Sequence, residues 1–323
     1  MTEGPLILDQ VFDHEAGHPD RVYLTQPLGG GPAVDYTWRQ VLDQSRRMAT
    51  HLQSRGFERG ARIAILSKNC AHFFMAELAV WLGGYTTVAI FPTETADTVR
   101  FVLEHSEASL LFVGKLDSWA QQRDGVPPGL PCIALPLAPN TELDTWDAII
   151  ARSAPLQGNP QRGADELAML IYTSGSTGQP KGVMSSFGAL SRAAEGIALE
   201  TRRRVGAGVE GRMLSYLPLA HSFERSWVEA ASLWDGHSHI FFAESLNTFL
   251  QDLQRARPTL FISVPRLWLK FQQGVFAKMS PASSTGCCRF RCSAAWWRTR
   301  CSRAWGSMRS SRPAAARRRC RRS

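Results

Sequence analysis

Residues 170–184, LIYTSGSTGQPKGVM, crowd four hydroxyls (Thr173, Ser174, Ser176, Thr177), three glycines (Gly175, Gly178, Gly182), Pro180 and Lys181 into one short loop. That mixture suits a polyphosphate. Glycine lets backbone N–H groups reach phosphate oxygens without a Cβ in the way. The hydroxyls donate hydrogen bonds and can ligate a metal ion. Lys181 supplies positive charge, and Pro180 stiffens the approach to it. Gly/Ser/Thr clusters are commonly plain surface loops. Here a strand-like run, AMLIYT (168–173), precedes the loop and Pro-Lys-Gly closes it, which favours phosphate binding. The loop is not a Walker A, because Pro180 stands five residues after Gly175 and Gly182 follows Lys181. Nor does it fit G-x-G-x-x-G, so a dinucleotide site has no support.

Other residues could also do chemistry. His221 lies just past the run MLSYLP (213–218), on the same expected face of a sheet. Spacing alone favours a packed or solvated histidine, and the surrounding LPLAHSFER turns the balance toward a site residue. Glu224 and Arg225 could form a local ion pair at a helix start. Trp227 and Trp234, seven apart, are expected to share a helix face, where core packing explains them as well as a lipid tunnel does. His237 and His239 have no trustworthy metal-ligand spacing. Cys70 and Cys132 are expected to be inert.

The elements that must position these groups alternate. Thr37 can cap a helix with apolar residues at Val41, Leu42, Met48, Ala49 and Leu52, stopped by Gly56. Strand runs follow at 61–67, 86–91, 109–114, 168–173, 213–218, 238–242 and 259–264. Helical patterns fall at 71–82 (AHFFMAELAVWL, ended by Gly83-Gly84), 97–105, 186–199, 223–233, 246–256 and from Arg266. The alternation predicts an α/β fold, with layered, largely parallel sheets and flanking helices. Ligands of such sheets bind beyond the carboxyl ends of the strands, where the 173–181 loop and His221 both fall.

Composition sets outer limits. With 323 residues, 44% of them hydrophobic, the chain can bury one or two sizeable cores. Neither a secretory signal nor a transmembrane run is apparent, so a cytoplasmic protein is expected. The net charge of +9 misleads. Residues 282–323 carry twelve Arg and no Lys, Asp or Glu, leaving the first 281 residues at −3. A mildly acidic body is joined to an abnormal Arg/Cys/Ser-rich tail.

YTSGSTGQPKGV (172–183) resembles the phosphate-loop signature of the adenylate-forming (AMP-binding) superfamily. SYLPLAHSFERS (215–226) resembles the next core motif of that family in its long-chain fatty acid–CoA ligase form. The stretches 36–52, 62–84 and 262–275 also resemble that branch of the family. The resemblance spans most of residues 10–281. It implies a two-step reaction: a fatty acid carboxylate attacks the α-phosphate of ATP, and coenzyme A then displaces AMP from the acyl-adenylate. It further implies that Thr173, Ser174, Gly175, Ser176, Thr177, Gly178 and Lys181 hold the β- and γ-phosphates. Thr173 would ligate Mg²⁺, and His221 would sit at the acyl and adenylate site. Residues 1–281 would be an incomplete N-terminal domain. No specific nucleic-acid partner is expected; peripheral membrane contact, acyl chain length and oligomeric state stay open.

The resemblance stops near residue 281, and the tail 282–323 is expected to be disordered. The Tyr-Gly-x-Thr-Glu and Thr-Gly-Asp motifs that follow in the family do not occur in this sequence. A basic nucleic-acid or membrane tail is one account of residues 282–323. A zinc knot fits poorly, because Cys287-Cys288-x-x-x-Cys292 lacks ligand spacing. A frameshift is the preferred account, since Gly286-Cys287-Cys288 can be encoded by codons that read Leu-Leu in a shifted frame; the coding DNA decides it. The expectation is a truncated ligase fragment with at most a trace of activity. The alternative is a non-catalytic nucleotide- or nucleic-acid-binding fragment.

Overall fold

A computed structural model describes residues 4–139, 142–173, 180–206, 208–265, 267–269 and 273. Expectations for the tail 282–323 therefore lie outside the described residues. So does Arg266, the start of the last expected helix.

Helix α1 (Ile7–Gly17) leads into an antiparallel pair, β1 (Val22–Pro27) and β2 (Ala33–Thr37), then α2 (Trp38–Ser54). Thr37 caps α2 as its position predicts: its hydroxyl accepts from Gln40 N while Gln40 Oε1 accepts from Thr37 N, a reciprocal capping box. The classical alternation follows as β3 (Arg62–Leu66), α3 (Ala71–Leu82), β4 (Thr86–Ile90), α4 (Ala96–His105) and β5 (Ala108–Val113). After them come a short α5 (Trp119–Gln122), β6 (Cys132–Ala134), β7 (Asp144–Thr145), α6 (Trp146–Arg152), β8 (Leu167–Thr173), β9 (Lys181–Ser186) and α7 (Phe187–Val205). The last stretch runs through β10 (Gly211–Ser215), α8 (Ser222–Glu224), a π-helical turn (Arg225–Ala230), α9 (Ala231–Asp235), β11 (Ser238–Phe242) and α10 (Phe249–Ala256).

Two sheets form. The larger has the order β7-β6-β5-β3-β4-β8-β9, parallel except for β9. The smaller has the order β10-β11-β1-β2, parallel except for β1 against β2. The expected layered, largely parallel α/β architecture is what the chain adopts. Helix α3 joins the two layers. A helix that is apolar on nearly every side must be buried on every side, and all twelve residues of α3 are, His72 and Glu77 included. Phe74 meets Tyr23 of β1 and Phe242 of β11, while the Trp81 indole donates to the Ala168 carbonyl of β8. Both sheets thus share one core.

Three expected elements differ. The run 259–264 is not a strand. The Thr259 hydroxyl accepts the Arg212 N–H, and the Thr259 and Leu260 amides both turn to the Arg212 carbonyl, so pairing with β10 stops after one residue. The expected helix 246–256 starts at Phe249, because Ser245 and Thr248 exchange backbone-to-hydroxyl hydrogen bonds just before it. The helix expected at 223–233 is broken by the π-turn, which shifts its register. Trp227 consequently lies against Phe223, whereas Trp234 packs on the main core. Among the described residues no helix is long and apolar enough to cross a membrane.

Candidate active site

The hydroxyl-rich loop joins two strands, not a strand and a helix. Thr173 ends β8, Lys181 opens β9, and the two are direct cross-strand partners in an antiparallel hairpin. Side chains opposite one another in such a pair lie on the same face, so the Thr173 hydroxyl and the Lys181 ammonium share one side of the hairpin mouth. Both are exposed. Helix α7 begins only at Phe187, with its first turn capped by the Ser186 hydroxyl. Ser174, Gly175, Ser176, Thr177 and Gly178 lie outside the described residues. Strand β9 gave no sequence signal because it does not alternate: neighbouring Val183 and Met184 are 54% and 73% exposed.

Gly182 has a visible reason. It pairs with Tyr172, whose ring would stand 3.3–3.5 Å from any Cβ added there. The Tyr172 hydroxyl in turn bonds to Nδ1 of His105, at the end of α4, at 2.8 Å. The hairpin is thereby braced from beneath by an aromatic ring.

A cleft of about 630 Å³ opens beside the hairpin. Tyr172, Thr173 and Pro180 line one wall, His221 another, and Phe91 and Glu94, beyond the end of β4, a third. Thr173 and His221 therefore converge from different sheets, beyond the carboxyl ends of β8 and β10. Lys181 follows Pro180 in the chain and faces Thr173. His221 is exposed and caps α8, its Nδ1 accepting the Phe223 N–H at 3.1 Å. In the neutral ring the proton then sits on Nε2, leaving Nε2–H free to donate. The His221 ring meets Phe91 edge-on.

The Glu224–Arg225 ion pair expected from the sequence is not made, because successive helical residues point apart. Arg225 turns inward to Glu77 of α3 and donates to the Leu219 carbonyl at 3.1 Å. Its Nε is 3.4 Å from Glu229 Oε2, within ion-pair range but without hydrogen-bond geometry. All three side chains are buried. Burial, reinforced by the Glu77 carboxylate, pushes the Glu229 carboxyl well above its usual range. Glu224 faces elsewhere: its Oε1 accepts from the Ser215 hydroxyl and the Tyr216 amide. Burial pushes its carboxyl up to about 8.

Glu224 has a consequence for stability. A carboxyl raised in the folded state favours folding while protonated, so its contribution is lost as pH climbs from its unfolded value of about 4.5 toward 8. That slope is at most about 1.4 kcal/mol per pH unit. Glu224→Gln is expected to flatten the fall in urea midpoint between pH 5 and 8; an unchanged slope would assign the effect to other groups.

The remaining candidates are structural. His237 Nδ1 bonds to Arg21, and His239 Nε2 to the Thr25 hydroxyl, each at 2.7 Å. Burial raises both thiols, Cys132 to about 11, as befits inert cysteines. Among the described residues no group of three or more His, Cys, Asp or Glu could hold a metal ion. One threonine hydroxyl at the cleft fits Mg²⁺ only as an ion arriving on a nucleotide's phosphates, which supply most of its oxygens.

The fold is thus a layered, largely parallel α/β body that brings Thr173 and His221 to one cleft beside the Thr173–Lys181 pair. Comparison narrows the class. The model of the AMP-binding enzyme family matches residues 11–305, and the chain belongs to that family. It is 33% identical over 270 residues to the long-chain-fatty-acid–CoA ligase FadD15 of Mycobacterium bovis, covering 80% of this chain and 44% of that one. It is 28% identical to the probable CoA ligase CCL6 of Humulus lupulus, over 87% of this chain and 46% of that one. Among solved structures, the A domain of carboxylic acid reductase from Segniliparus rugosus, in complex with AMP, superposes with a TM-score of 0.70 at 22% identity, covering 88% of this chain and 54% of that one. The chain spans under half the length of these curated relatives.

Proposed function

We propose that this chain is the phosphate-binding portion of a long-chain fatty acid–CoA ligase, with ATP, a fatty acid and coenzyme A as the whole enzyme's substrates. The observation that carries the proposal is the cross-strand pairing of Thr173 and Lys181 beside the cleft that also holds His221. In the first step the fatty acid carboxylate forms a bond to the α-phosphorus while the bond to pyrophosphate breaks. Charge builds on the departing β- and γ-phosphates. The Lys181 ammonium opposes it, and Thr173 donates from the same face or would ligate a Mg²⁺ carried by the nucleotide, which would neutralise phosphate charge there. The resemblance assigns Ser174, Gly175, Ser176, Thr177 and Gly178 to the same phosphates. His221 Nε2–H is the donor for an oxygen of the carboxylate or the α-phosphate. In the second step the coenzyme A thiolate attacks the acyl carbon and AMP leaves.

Electrostatic catalysis needs the whole set of groups held together. The Tyr-Gly-x-Thr-Glu and Thr-Gly-Asp motifs, which the resemblance implies for Mg²⁺ and the ribose, do not occur in these 323 residues. The chain by itself is therefore expected to release no pyrophosphate above background from ATP, palmitate and coenzyme A. Sustained turnover in that assay would show that the groups present suffice.

A further inference from the structure

Asn69 stands just before α3, where an asparagine commonly caps the helix. It does not do so here. Cys70 is the N-cap residue, without a side-chain cap bond, and the Ala71 amide is taken by Gln26 Oε1. The buried Asn69 side chain reaches instead into the other layer. Its Nδ2 donates to the Leu217 carbonyl at 2.6 Å and the Ser215 hydroxyl at 2.8 Å, with Glu224 Oε1 at 3.4 Å. Its Oδ1 accepts from the Leu219 amide at 3.2 Å. These partners fix the orientation of the amide, since the flipped form would set oxygen against the Leu217 carbonyl.

The bonded residues bracket Pro218, which has no N–H of its own. The Pro218 carbonyl accepts the His221 amide at 2.9 Å. Ser215, on the near side of His221, and Glu224, on its far side, are bonded to each other as well as to Asn69. One amide from the larger layer therefore holds both approaches to the histidine of the smaller one.

We propose that Asn69 is the positioning residue of the cleft, setting the turn 217–221 and through it the His221 imidazole. The proposal rests on reading the cleft as the nucleotide and acyl site. Its mechanical part can be tested without activity.

The test uses the full chain with Asn69→Ala and Asn69→Ser, the latter hydroxyl being too short to span the gap. Amide exchange is read at Leu219 and His221, with Leu111 in β5 as a core reference. ¹⁵N spectra read the His221 tautomer. Expected are exchange at Leu219 at least about tenfold faster, as for a lost buried hydrogen bond, an unchanged Leu111, and a shift of His221 from Nε2–H toward a mixture of tautomers. Unchanged exchange at Leu219, an unmoved tautomer, or equal loosening at Leu111 would overturn the proposal. Should neither variant fold, the unaltered chain decides: rapid exchange at Leu219 overturns the proposal and slow exchange supports it. MgATP titrations of the same samples separate the two claims. Failure of every sample to bind MgATP counts against the functional reading alone, while exchange and tautomer still judge Asn69.

Discussion

Arg225→Ala is expected to cost about 3–5 kcal/mol, enough to unfold much of the population of a domain of ordinary stability. The guanidinium is buried between Glu77 and Glu229, and it lies over the Phe73 ring. Its removal leaves carboxyl groups in a core they cannot leave, and it frees the Leu219 carbonyl from its donor. The sign of the pH dependence follows. Burial and the Glu77 charge already hold the Glu229 carboxyl well above its usual range and only the cation opposes them, so the loss grows as pH rises above the ordinary carboxylate range. Urea midpoints at pH 5 and pH 8 give the check. The deficit should be larger at pH 8, and a deficit under about 1 kcal/mol there would mean that the cluster is hydrated. Exchanging the whole cluster for apolar residues (Glu77→Leu, Arg225→Met, Glu229→Leu) is expected to recover most of the loss, because no buried charge then lacks a partner.

What the sequence discloses of this molecule depends on how local the cause is. AHFFMAELAVWL reads as a helix, and the structure gives it the same bounds, because a run that is apolar save for His72 and Glu77 and is ended by two glycines needs no distant information. The Gly- and hydroxyl-rich run after Thr173 is an equally local signal, and the two strands that flank it, β8 and β9, pair directly. Strand β9 itself is not visible in the sequence, since its side chains answer to a single neighbouring strand and an exposed face. The pair β1–β2 escaped although the run Leu28-Gly29-Gly30-Gly31-Pro32 marks a turn, with all three glycines at positive φ. Thr259–Val264 has the composition of a strand, yet one hydroxyl takes the donor that a ladder requires. The Glu77–Arg225 pair, 148 residues apart, and the reach of Asn69 to Leu217 are products of topology. Nothing next to any of these residues in the chain announces them.

The central claim is that the hairpin of β8 and β9 cradles a nucleotide's terminal phosphates. Lys181 is its most exposed commitment. A charge-assisted bond to phosphate contributes about 1.5–3 kcal/mol, so Lys181→Ala should weaken MgATP binding by roughly ten- to a hundredfold. Lys181→Arg keeps the charge and should lose less, though a planar fork is a poor copy of a point charge. Because Lys181 is exposed and opens its strand, neither change should move the urea midpoint appreciably. The decisive measurement is a calorimetric titration of MgATP into the unaltered chain and into Lys181→Ala at one salt concentration. Saturable binding that falls at least tenfold in the variant is the expected result; equal affinity in the two proteins would contradict the claim.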